Sequence, residues 1–546
     1  MYTSAERVYI MRNKVSKTEN ITCNRIFCVA GIESVMTYLL AVTLSVMCIV
    51  VAFYAEDGYN QIGNAKFTVY RVTMLAGFIP FLFLGLFYLG FFLREGRYRK
   101  IRLSVTDSCV FAYLFFSTIS IASGGFYESA LWGSFGWNMG WMSQLSFVLV
   151  YVALSRFGKY YRAILSVFCG SAFFVFMIAI LHRMLIDPIG FYEGLDGYQM
   201  AQFLSTMGQA TWYASYLIVA LPVGVAVFLF AKETLWRALA GAYTVAGFAT
   251  LVTQNSDSAY FAMAGFMIVF FWVCVERRET LNRFVEVCTL FFAVGKVMHF
   301  LMKIRPNPKL EYDFVTSLIL DGRVTWVLLG VCLLLALILY GRRNRPYAMA
   351  GMLRVRRAVL IVAVAIPIIL ASFIILQSKG LFSGRLGETL SAIPYFNWGS
   401  EWGNGRGRIW SFAVRVFGSE SIGHKLFGVG PDCFSSYSMA VHGEEVRLLW
   451  GEKMLTNAHN EWLTTLINTG IFGAVAYIGI FVSAVGRFLR SRQQDYLLVG
   501  AAASTVSYMA YNFFCYQQVC CTPFVFLMMG TGEYILCRQR QEVIRR

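Results

Sequence analysis

Charged residues are scarce in this sequence: they make up 14% of its 546 positions, against 58% hydrophobic residues and a mean hydropathy of +0.59. Soluble globular proteins carry about 25% charged and about 45–50% apolar residues. The composition therefore excludes a soluble globular protein. About fourteen membrane helices of about 20 residues would use roughly half the chain, which also excludes a soluble enzyme with a single anchor. We predict an all-α, polytopic integral membrane protein.

Acidic residues and metal-ligand patterns are scarce as well. The chain has 30 Asp and Glu against 47 Lys and Arg, a formal net charge of +17. In a membrane protein this excess indicates basic cytoplasmic loops on an anionic leaflet, so we expect a lipid bilayer and no nucleic acid as partner. The sequence contains no CxxC pair and no Asp-x-Asp, and its five His are widely spaced. We therefore predict no disulfide scaffold, no metal site and no cofactor.

Apolar runs separated by polar breaks predict about fourteen membrane helices. They lie at 34–54, 70–92, 104–122, 138–155, 163–181, 211–230, 237–253, 259–275, 284–302, 322–340, 358–376, 461–486, 495–514 and 522–537. If the N-terminus is cytoplasmic, the inner segments hold 31 of the 47 Lys and Arg. The short loops then follow the positive-inside rule, which places both termini in the cytoplasm.

This topology divides the chain into five segments. We predict a cytoplasmic N-terminal segment (1–33), helices 1–11 (34–376), a large extracytoplasmic loop (377–460), helices 12–14 (461–537) and a cytoplasmic basic tail (538–546). A structureless loop as long as 377–460 is uncommon inside a compact protein, so we expect a small, partly helical subdomain there. The loop is rich in glycine, aromatic and charged residues, and we expect the chemistry in it.

Two glycine-rich motifs lie in this loop. In GNGRGRIW (403–410) glycines flank Arg406 and Arg408, whose guanidinium groups can each bind phosphate oxygens in a two-point contact. A solvated basic loop is the alternative. In LFGVGPDCF (426–434) Gly428 and Gly430 predict a tight turn, next to which Asp432 can cap a helix or bind a ligand.

A third motif, TNAHNEWL (456–463), stands where the polar loop meets a long apolar helix. The free N–H groups and dipole at a helix start favour an anion and keep a nearby imidazole neutral. His459 can therefore act as a general base, or simply cap the helix at the membrane interface. In the hairpin before residue 259, Asp257 is expected to cap the following helix together with Ser256 and Ser258, or to have a functional role.

The order of these motifs resembles the O-antigen ligase and polymerase superfamily. The shared pattern is Arg406-x-x-x-Trp410, then Gly428-x-Gly430, then Ala-His459-Asn460, then Asn-Thr-Gly at 468–470. The resemblance implies a metal-independent, inverting glycosyltransferase of the bacterial inner membrane. Such an enzyme moves a glycan from a polyprenyl-diphosphate carrier to a glycan, lipid or wall-polymer acceptor hydroxyl on the outer face. Neither the sugar nor the choice between ligation and polymerisation follows from it.

The resemblance also implies residue roles. His459 becomes the base that activates the acceptor, and Arg406 holds the diphosphate with Arg408 beside it. The remaining substrate-binding residues that we predict are Asn460, Trp410, Arg385, Gly428 and Gly430. If His459 instead binds the diphosphate, a carboxylate such as Glu461 or Asp432 activates the acceptor.

One departure from the family pattern concerns Asp257. Many members have a Ser-Arg pair where this chain has Ser256-Asp257. An acidic side chain cannot hold a diphosphate directly, so the role of that arginine is either lost or taken over by another arginine, such as Arg385, Arg323 or Arg415.

Two other functions remain open. A transporter or flippase of lipid-linked glycans would also be polytopic and basic, but it should carry charged residues along a lumen inside its helices. The predicted spans contain few of them. A cell-wall polymerase of the peptidoglycan type shares the overall plan, although its catalytic acid is expected at a different position.

Overall fold

The computed structural model describes residues 29–545 except 95–102, 343, 345, 348, 383, 392, 452, 454 and 492–494. The predictions for residues 1–28, for most of the basic loop 94–102 and for Arg546 lie outside the described residues. The described part has 21 α-helices and one two-stranded antiparallel ladder, β1 Phe203–Leu204 with β2 Gly208–Gln209. The protein is an all-α polytopic membrane protein, as predicted.

The α-helices have the following bounds: α1 Val29–Phe53, α2 Ile62–Arg94, α3 Val105–Gly124, α4 Tyr127–Trp132, α5 Trp141–Phe157, α6 Tyr161–Arg183, α7 Gly197–Gln202, α8 Ala210–Phe230, α9 Thr234–Leu251, α10 Ser258–Cys274, α11 Arg278–Ile304, α12 Phe314–Leu320, α13 Arg323–Gly341, α14 Met349–Ser378, α15 Gly384–Ser391, α16 Trp402–Ser419, α17 Ile422–Phe427, α18 Phe434–Trp450, α19 Glu461–Leu489, α20 Tyr496–Tyr511 and α21 Thr522–Arg545. A helix overlaps each of the fourteen predicted spans. Within the described part, nine helices are long and apolar enough to cross a membrane, and the apolar helices α5 and α10 are shorter. The count of fourteen spans therefore stays a prediction.

The burial of the helices is typical of a bundle that lies in a bilayer. Helix α8 lies at its centre, with 16 of its 21 residues buried. Helix α14 lies at the other extreme: it is the most apolar candidate span, and no residue in its most apolar stretch is buried. An exposed apolar surface of this length is unstable in water and suits a bilayer.

The loops that we predict to be extracytoplasmic meet at one end of the bundle, which we call the site end. It comprises 54–61, 125–140, 184–209, 252–257, 305–322, 379–460 and 512–521. Here the Ser134 N–H donates to Asp432 Oδ2 at 2.7 Å, and the Tyr395 hydroxyl donates to Asp257 Oδ2 at 2.7 Å. The side of the membrane that the site end faces stays a prediction.

Buried charges hold helix ends together. At the site end, Lys66 Nζ donates to the carbonyl of Val51 at 2.8 Å, near the C-terminus of α1. The negative end of a helix dipole and its unpaired carbonyls favour a cation at that position. At the opposite end, Arg487 pairs with the buried Glu533 at 2.6 Å. These charges thus have structural partners near the two ends of the bundle.

At the site end, the described residues of 379–460 form a helical layer over the ends of the long helices. Helices α15 to α18 and a 3₁₀ turn, Pro394–Phe396, follow one another, and Phe412, Val416, Phe434 and Val446 form the core of the layer. Ala130 and Ile467 of the bundle complete this core, so the layer is fixed on the helices below it.

Glu420, at the end of α16, gives a testable property of this layer. The residue is 4% exposed, and both carboxylate oxygens lack a hydrogen-bond partner in the described part of the chain. Burial raises the pKa of Glu420 to about 8, against the opposing effect of Lys425. Because the unfolded chain ionises near pH 4.5, stability from this group is full in acid and falls as pH rises towards 8.

We therefore expect Glu420→Gln to stabilise the protein at alkaline pH. The free energy of unfolding should rise by about 1–3 kcal/mol at pH 9 and change little at pH 4, because the uncompensated buried charge is removed. Thermal unfolding in detergent at a series of pH values measures this difference. A gain that does not depend on pH would contradict the assignment to ionisation.

Candidate active site

Arg406 follows a backbone turn that only a glycine-rich sequence forms easily. Gly403, Asn404 and Gly405 adopt φ of 59°, 59° and 85°, which breaks α16 in its first turn. Glycine reaches this left-handed region without strain, and asparagine tolerates it better than most residues. The half-buried Arg406 then donates from Nη1 to the Gly403 carbonyl at 2.7 Å and from Nε to the Phe514 carbonyl at 3.0 Å. Two anchors thus fix the guanidinium plane.

His459 lies in the turn that leads into α19. Its φ of 46° is left-handed, and its N–H donates to Asn457 Oδ1 at 2.9 Å. The next residue, Asn460, caps α19 because its Oδ1 accepts from the Leu463 N–H at 3.0 Å. An asparagine at this position contributes about 1 kcal/mol to helix stability. The strained turn therefore sets the imidazole just outside the helix.

Tyr516 positions the imidazole from the facing loop. Its ring meets the His459 ring edge to face, with centroids 5.1 Å apart. Trp212 in turn donates from Nε1 to the Tyr516 hydroxyl at 3.0 Å, and Trp137 packs on the tyrosine at 4.4 Å. The sequence did not point to Tyr516, because its loop carries no recognisable motif.

The charge of Arg406 acts on His459 although 53 positions separate the two residues. Burial, and then the positive charge of Arg406, lower the pKa of His459 to about 4. The imidazole is therefore neutral at physiological pH, as a general base must be. The sequence analysis attributed a neutral ring to the helix dipole, whereas burial and Arg406 account for it here.

An apolar groove runs along α19 next to Trp410. It encloses about 1390 Å³ of empty space, counted with its open mouth. Its wall includes Trp398, Trp410, Asn460, Trp462, Val475 and Phe513. Val475 is 65% exposed, so this side of the groove faces the surroundings of the bundle.

A polar cavity is lined by Asn457 and Tyr516, two residues that contact His459. It is narrow, with about 40 Å³ open to water-sized molecules, and its wall includes Asp432, Asn457, Glu461, Asn468, Tyr516 and Gln517. Glu461 already accepts from the Tyr508 hydroxyl at 2.9 Å and from the Tyr477 hydroxyl. Burial raises the pKa of Asp432 to about 7, although the N–H groups of Ser134 and Met139 oppose the rise.

Two chain segments connect the groove with the cavity. In the first, Asn460 lines the groove, and Asn457 and Glu461 line the cavity. In the second, residues 513–517, Phe513 lines the groove, the Phe514 carbonyl binds Arg406, and Tyr516 and Gln517 line the cavity. Neighbours of Arg406 and His459 therefore line both compartments, whereas neither Arg406 nor His459 itself lines one.

Other predicted site residues have structural partners. Arg408 pairs with Glu401 and donates to the Leu449 carbonyl at 3.1 Å. Trp410 lines the groove and stacks on Phe514 at 5.9 Å. Arg385 is exposed on α15, and among the described residues no hydrogen bond or ion pair joins its side chain to Arg406 or His459. The substrate-binding roles of these residues stay predictions.

Gly428 and Gly430 serve close backbone packing. The N–H of Gly430 donates to the Asn468 carbonyl at 2.9 Å, and a Cβ on Gly428 would lie 2.3 Å from that same oxygen. At this contact α19 is kinked, because Gly470 adopts φ 69° and ψ −177°. Neither Gly428 nor Gly430 lines the two compartments, so their predicted substrate contact remains without structural support.

Asp257 does not cap its own helix, and the interpretation as the cap of α10 is wrong. Its carboxylate accepts from the N–H groups of Val315 and Thr316 at 3.1 and 3.3 Å, so it caps α12 from outside. Tyr395 donates to the same carboxylate. Arg385, Arg323 and Arg415 are exposed, and Arg415 pairs with Glu445. Which arginine replaces the family arginine stays a prediction.

Across the described residues, no group of three or more His, Cys, Asp or Glu side chains is placed to hold a metal ion. Metal independence of the reaction stays a prediction.

Comparison with known families agrees with the motif order. The model of the O-antigen ligase family matches residues 313–478. No curated protein matches the chain. The matched segment contains Arg406, the 428–430 turn, His459 and Asn468, and it ends before Tyr516. The match supports the predicted assignment to the O-antigen ligase and polymerase superfamily, and it indicates a membrane glycosyltransferase of the O-antigen ligase type.

Proposed function

We propose that this protein transfers a glycan from a polyprenyl-diphosphate carrier to an acceptor hydroxyl at the extracytoplasmic face of the bacterial inner membrane, without a metal and with inversion. The observation that carries the proposal is that the charge of Arg406 acts on the buried His459, and that neighbours of this pair line an apolar groove and a polar cavity. A lipid-linked donor needs an apolar compartment for its tail, a cation for its diphosphate and a polar exit for its glycan. Arg406 supplies the cation, and neighbours of the pair line the groove and the cavity.

The transfer is a single displacement. The acceptor oxygen attacks C1 of the donor sugar while its proton passes to the neutral imidazole of His459. The bond from C1 to the diphosphate oxygen breaks, and the polyprenyl diphosphate leaves with the electron pair. Arg406 stabilises the negative charge that grows on this leaving group, an effect larger in the transition state than in the ground state. Attack opposite the leaving group inverts the anomeric centre.

A transporter without transferase activity is less well supported. It would need charged groups along a lumen. The buried Lys66 and Lys296 instead donate to helix-end carbonyls, and the buried Glu533 pairs with Arg487. These partners are structural.

The deciding experiment uses purified protein in liposomes. The liposomes contain lipid-linked glycan that is extracted from cells without this protein. Mass spectrometry should show glycan on the acceptor and free polyprenyl diphosphate in the bilayer. Glycan that crosses the bilayer still attached to its carrier would establish the transporter instead.

We also expect the site end to face the outside. In a cysteine-free background, Glu444→Cys should react with a membrane-impermeant maleimide in spheroplasts, while Lys232→Cys should react only after lysis. Both positions are exposed, and they lie at opposite ends of the bundle. The reverse labelling pattern would place the site in the cytoplasm and contradict the proposed donor.

A further inference from the structure

A chain of hydrogen-bonded polar side chains crosses the interior of the bundle next to the site end. We call it the buried polar network, and its members, from α3, α5, α19, α20 and the loop before α21, are Tyr113, Gln144, Gln517, Tyr477, Glu461 and Tyr508. Gln517 is half-buried, and the other five members are at most 2% exposed. A buried polar atom that loses its partner costs free energy, so such a network holds the segments that it joins in fixed positions.

The carboxylate of Glu461 sets the direction of these hydrogen bonds. A carboxylate only accepts, so the Tyr477 hydroxyl donates to Glu461, and its oxygen accepts from Gln517 Nε2 at 2.8 Å. The amide of Gln517 therefore turns its nitrogen towards Tyr477 and its oxygen towards Gln144, whose Nε2 donates to it at 2.8 Å. The Tyr508 hydroxyl holds the same carboxylate from α20, at 2.9 Å. One orientation of the Gln517 side chain thus satisfies both of its neighbours.

Gln517 lies in a loop, whereas the other members of the network lie in helices, and this loop contacts both proposed catalytic residues. Three positions before Gln517, the Phe514 carbonyl accepts from Arg406 Nε at 3.0 Å. Directly before Gln517, the Tyr516 ring meets the His459 ring with the centroids 5.1 Å apart. The side chain of Gln517 anchors the loop to α5 and α19, and the loop in turn contacts both residues.

We propose that Gln517 is a positioning residue for glycan transfer: through it, the buried polar network holds the loop so that Arg406 and His459 keep the spacing that transfer requires. This inference rests on the proposed function. Gln517 acts through its neighbours in the loop and not by contact with the substrate. A misplacement of about 1 Å can cost about 10²-fold in rate, so a residue of this kind affects turnover more than binding.

The test breaks the hydrogen bond between Gln517 and Tyr477 from either side. Gln517→Met keeps the length of the side chain and Tyr477→Phe keeps the ring, while each removes a hydrogen-bonding group. Donor and acceptor glycan are extracted from cells without this protein, and kcat and both KM values are measured. Each variant should lower kcat about 10–100-fold and leave both KM values within about threefold. The double variant should lose no more than the weaker enzyme of the two, because both changes break one link.

Gln518→Met is the matched control, because Gln518 is the next residue of the same loop and lies outside the network. It is 3% exposed, its Oε1 has no hydrogen-bond partner among the described residues, and its Nε2 contacts Cys515 Sγ at 3.8 Å. We expect this variant to keep the kcat of the wild type. Thermal unfolding in detergent shows whether each variant is folded, and Tyr477→Phe tests the same bond if Gln517→Met does not fold.

The pH profile supplies a readout that a general loss of stability would not move. Burial, and then the charge of Arg406, lower the pKa of His459 to about 4. Both effects weaken if the loop moves away, so the pKa of His459 should rise towards its ordinary value of about 6.5. The acid limb of the kcat profile should therefore move to higher pH in Gln517→Met and Tyr477→Phe. In Gln518→Met it should stay near pH 4.

A normal kcat in folded Gln517→Met would overturn this inference, and so would a loss confined to the KM values. An acid limb that stays near pH 4 in variants with a lowered kcat would contradict the route through Arg406 and His459. An equal loss in Gln518→Met would show that packing of the loop, and not the network, sets the rate. The proposed function survives all of these results, whereas a wild type that transfers no glycan would refute the proposed function itself.

Discussion

We expect His459→Ala to lower turnover about 10²–10⁴-fold while donor binding survives, because general-base catalysis typically contributes that much. The imidazole is positioned by the left-handed turn of its own backbone and by Tyr516. We expect the turn and the tyrosine to keep their places when the ring is removed. Single-turnover transfer and donor binding, measured on the same preparation, separate the two effects. His442→Ala, a half-buried histidine of the same layer that contacts Ser419 at 3.0 Å, is the matched control.

The pH profile supplies an independent check on His459. With a pKa near 4, the base loses activity only as pH falls through that value, and the rate should be level from about pH 5 upwards as far as this group is concerned. A His459→Ala protein with normal turnover would remove this base from the mechanism. Loss of donor binding together with turnover would make His459 a diphosphate ligand and leave Asp432 as the better placed base, since two tyrosines already bind Glu461.

Arg406→Ala should lower turnover about 10²–10³-fold, by analogy with the loss of one donor that stabilises transition-state charge. Arg406→Lys should not restore activity, because a lysine can neither bind the Gly403 and Phe514 carbonyls in the same plane nor present two parallel N–H groups to a diphosphate. Initial rates with saturating acceptor measure the effect. Arg447→Ala, an exposed arginine of the same layer, should behave like the wild type. Activity in Arg406→Lys equal to the wild type would show that a point charge suffices.

The helices could be predicted from the sequence because lipid-facing and core-facing residues are alike apolar, so each span appears as a continuous run. Predicted bounds such as 104–122 and 211–230 agree closely with α3 and α8. The ends of the helices gave no comparable signal. Asp257 shows why: its partners, Val315 and Thr316, lie almost sixty positions away, and a local capping rule could not find them.

The candidate site was only partly predictable for the same reason. Arg406 and His459 were selected from motif order, but their proximity depends on the loop 513–517, which carries no motif. Tyr516, Trp137 and Gln517 were therefore missed. The glycines were predicted correctly to form a turn, yet their spacing could not show that the turn packs against the kinked backbone of α19.

That packing has a consequence for how a substrate enters. A Cβ on Gly124 would lie 1.7 Å from the Val429 carbonyl, and one on Gly470 2.4 Å from Leu426, so the backbones there touch with no side chain between them. Asp432 also accepts hydrogen bonds from the N–H groups of Ser134 and Met139. Together, these contacts fix the helical layer to the bundle. The helical layer cannot move away from the bundle without breaking all of these contacts. Under the proposed function, we therefore expect the carrier lipid to enter from the side of the groove, past the exposed Val475.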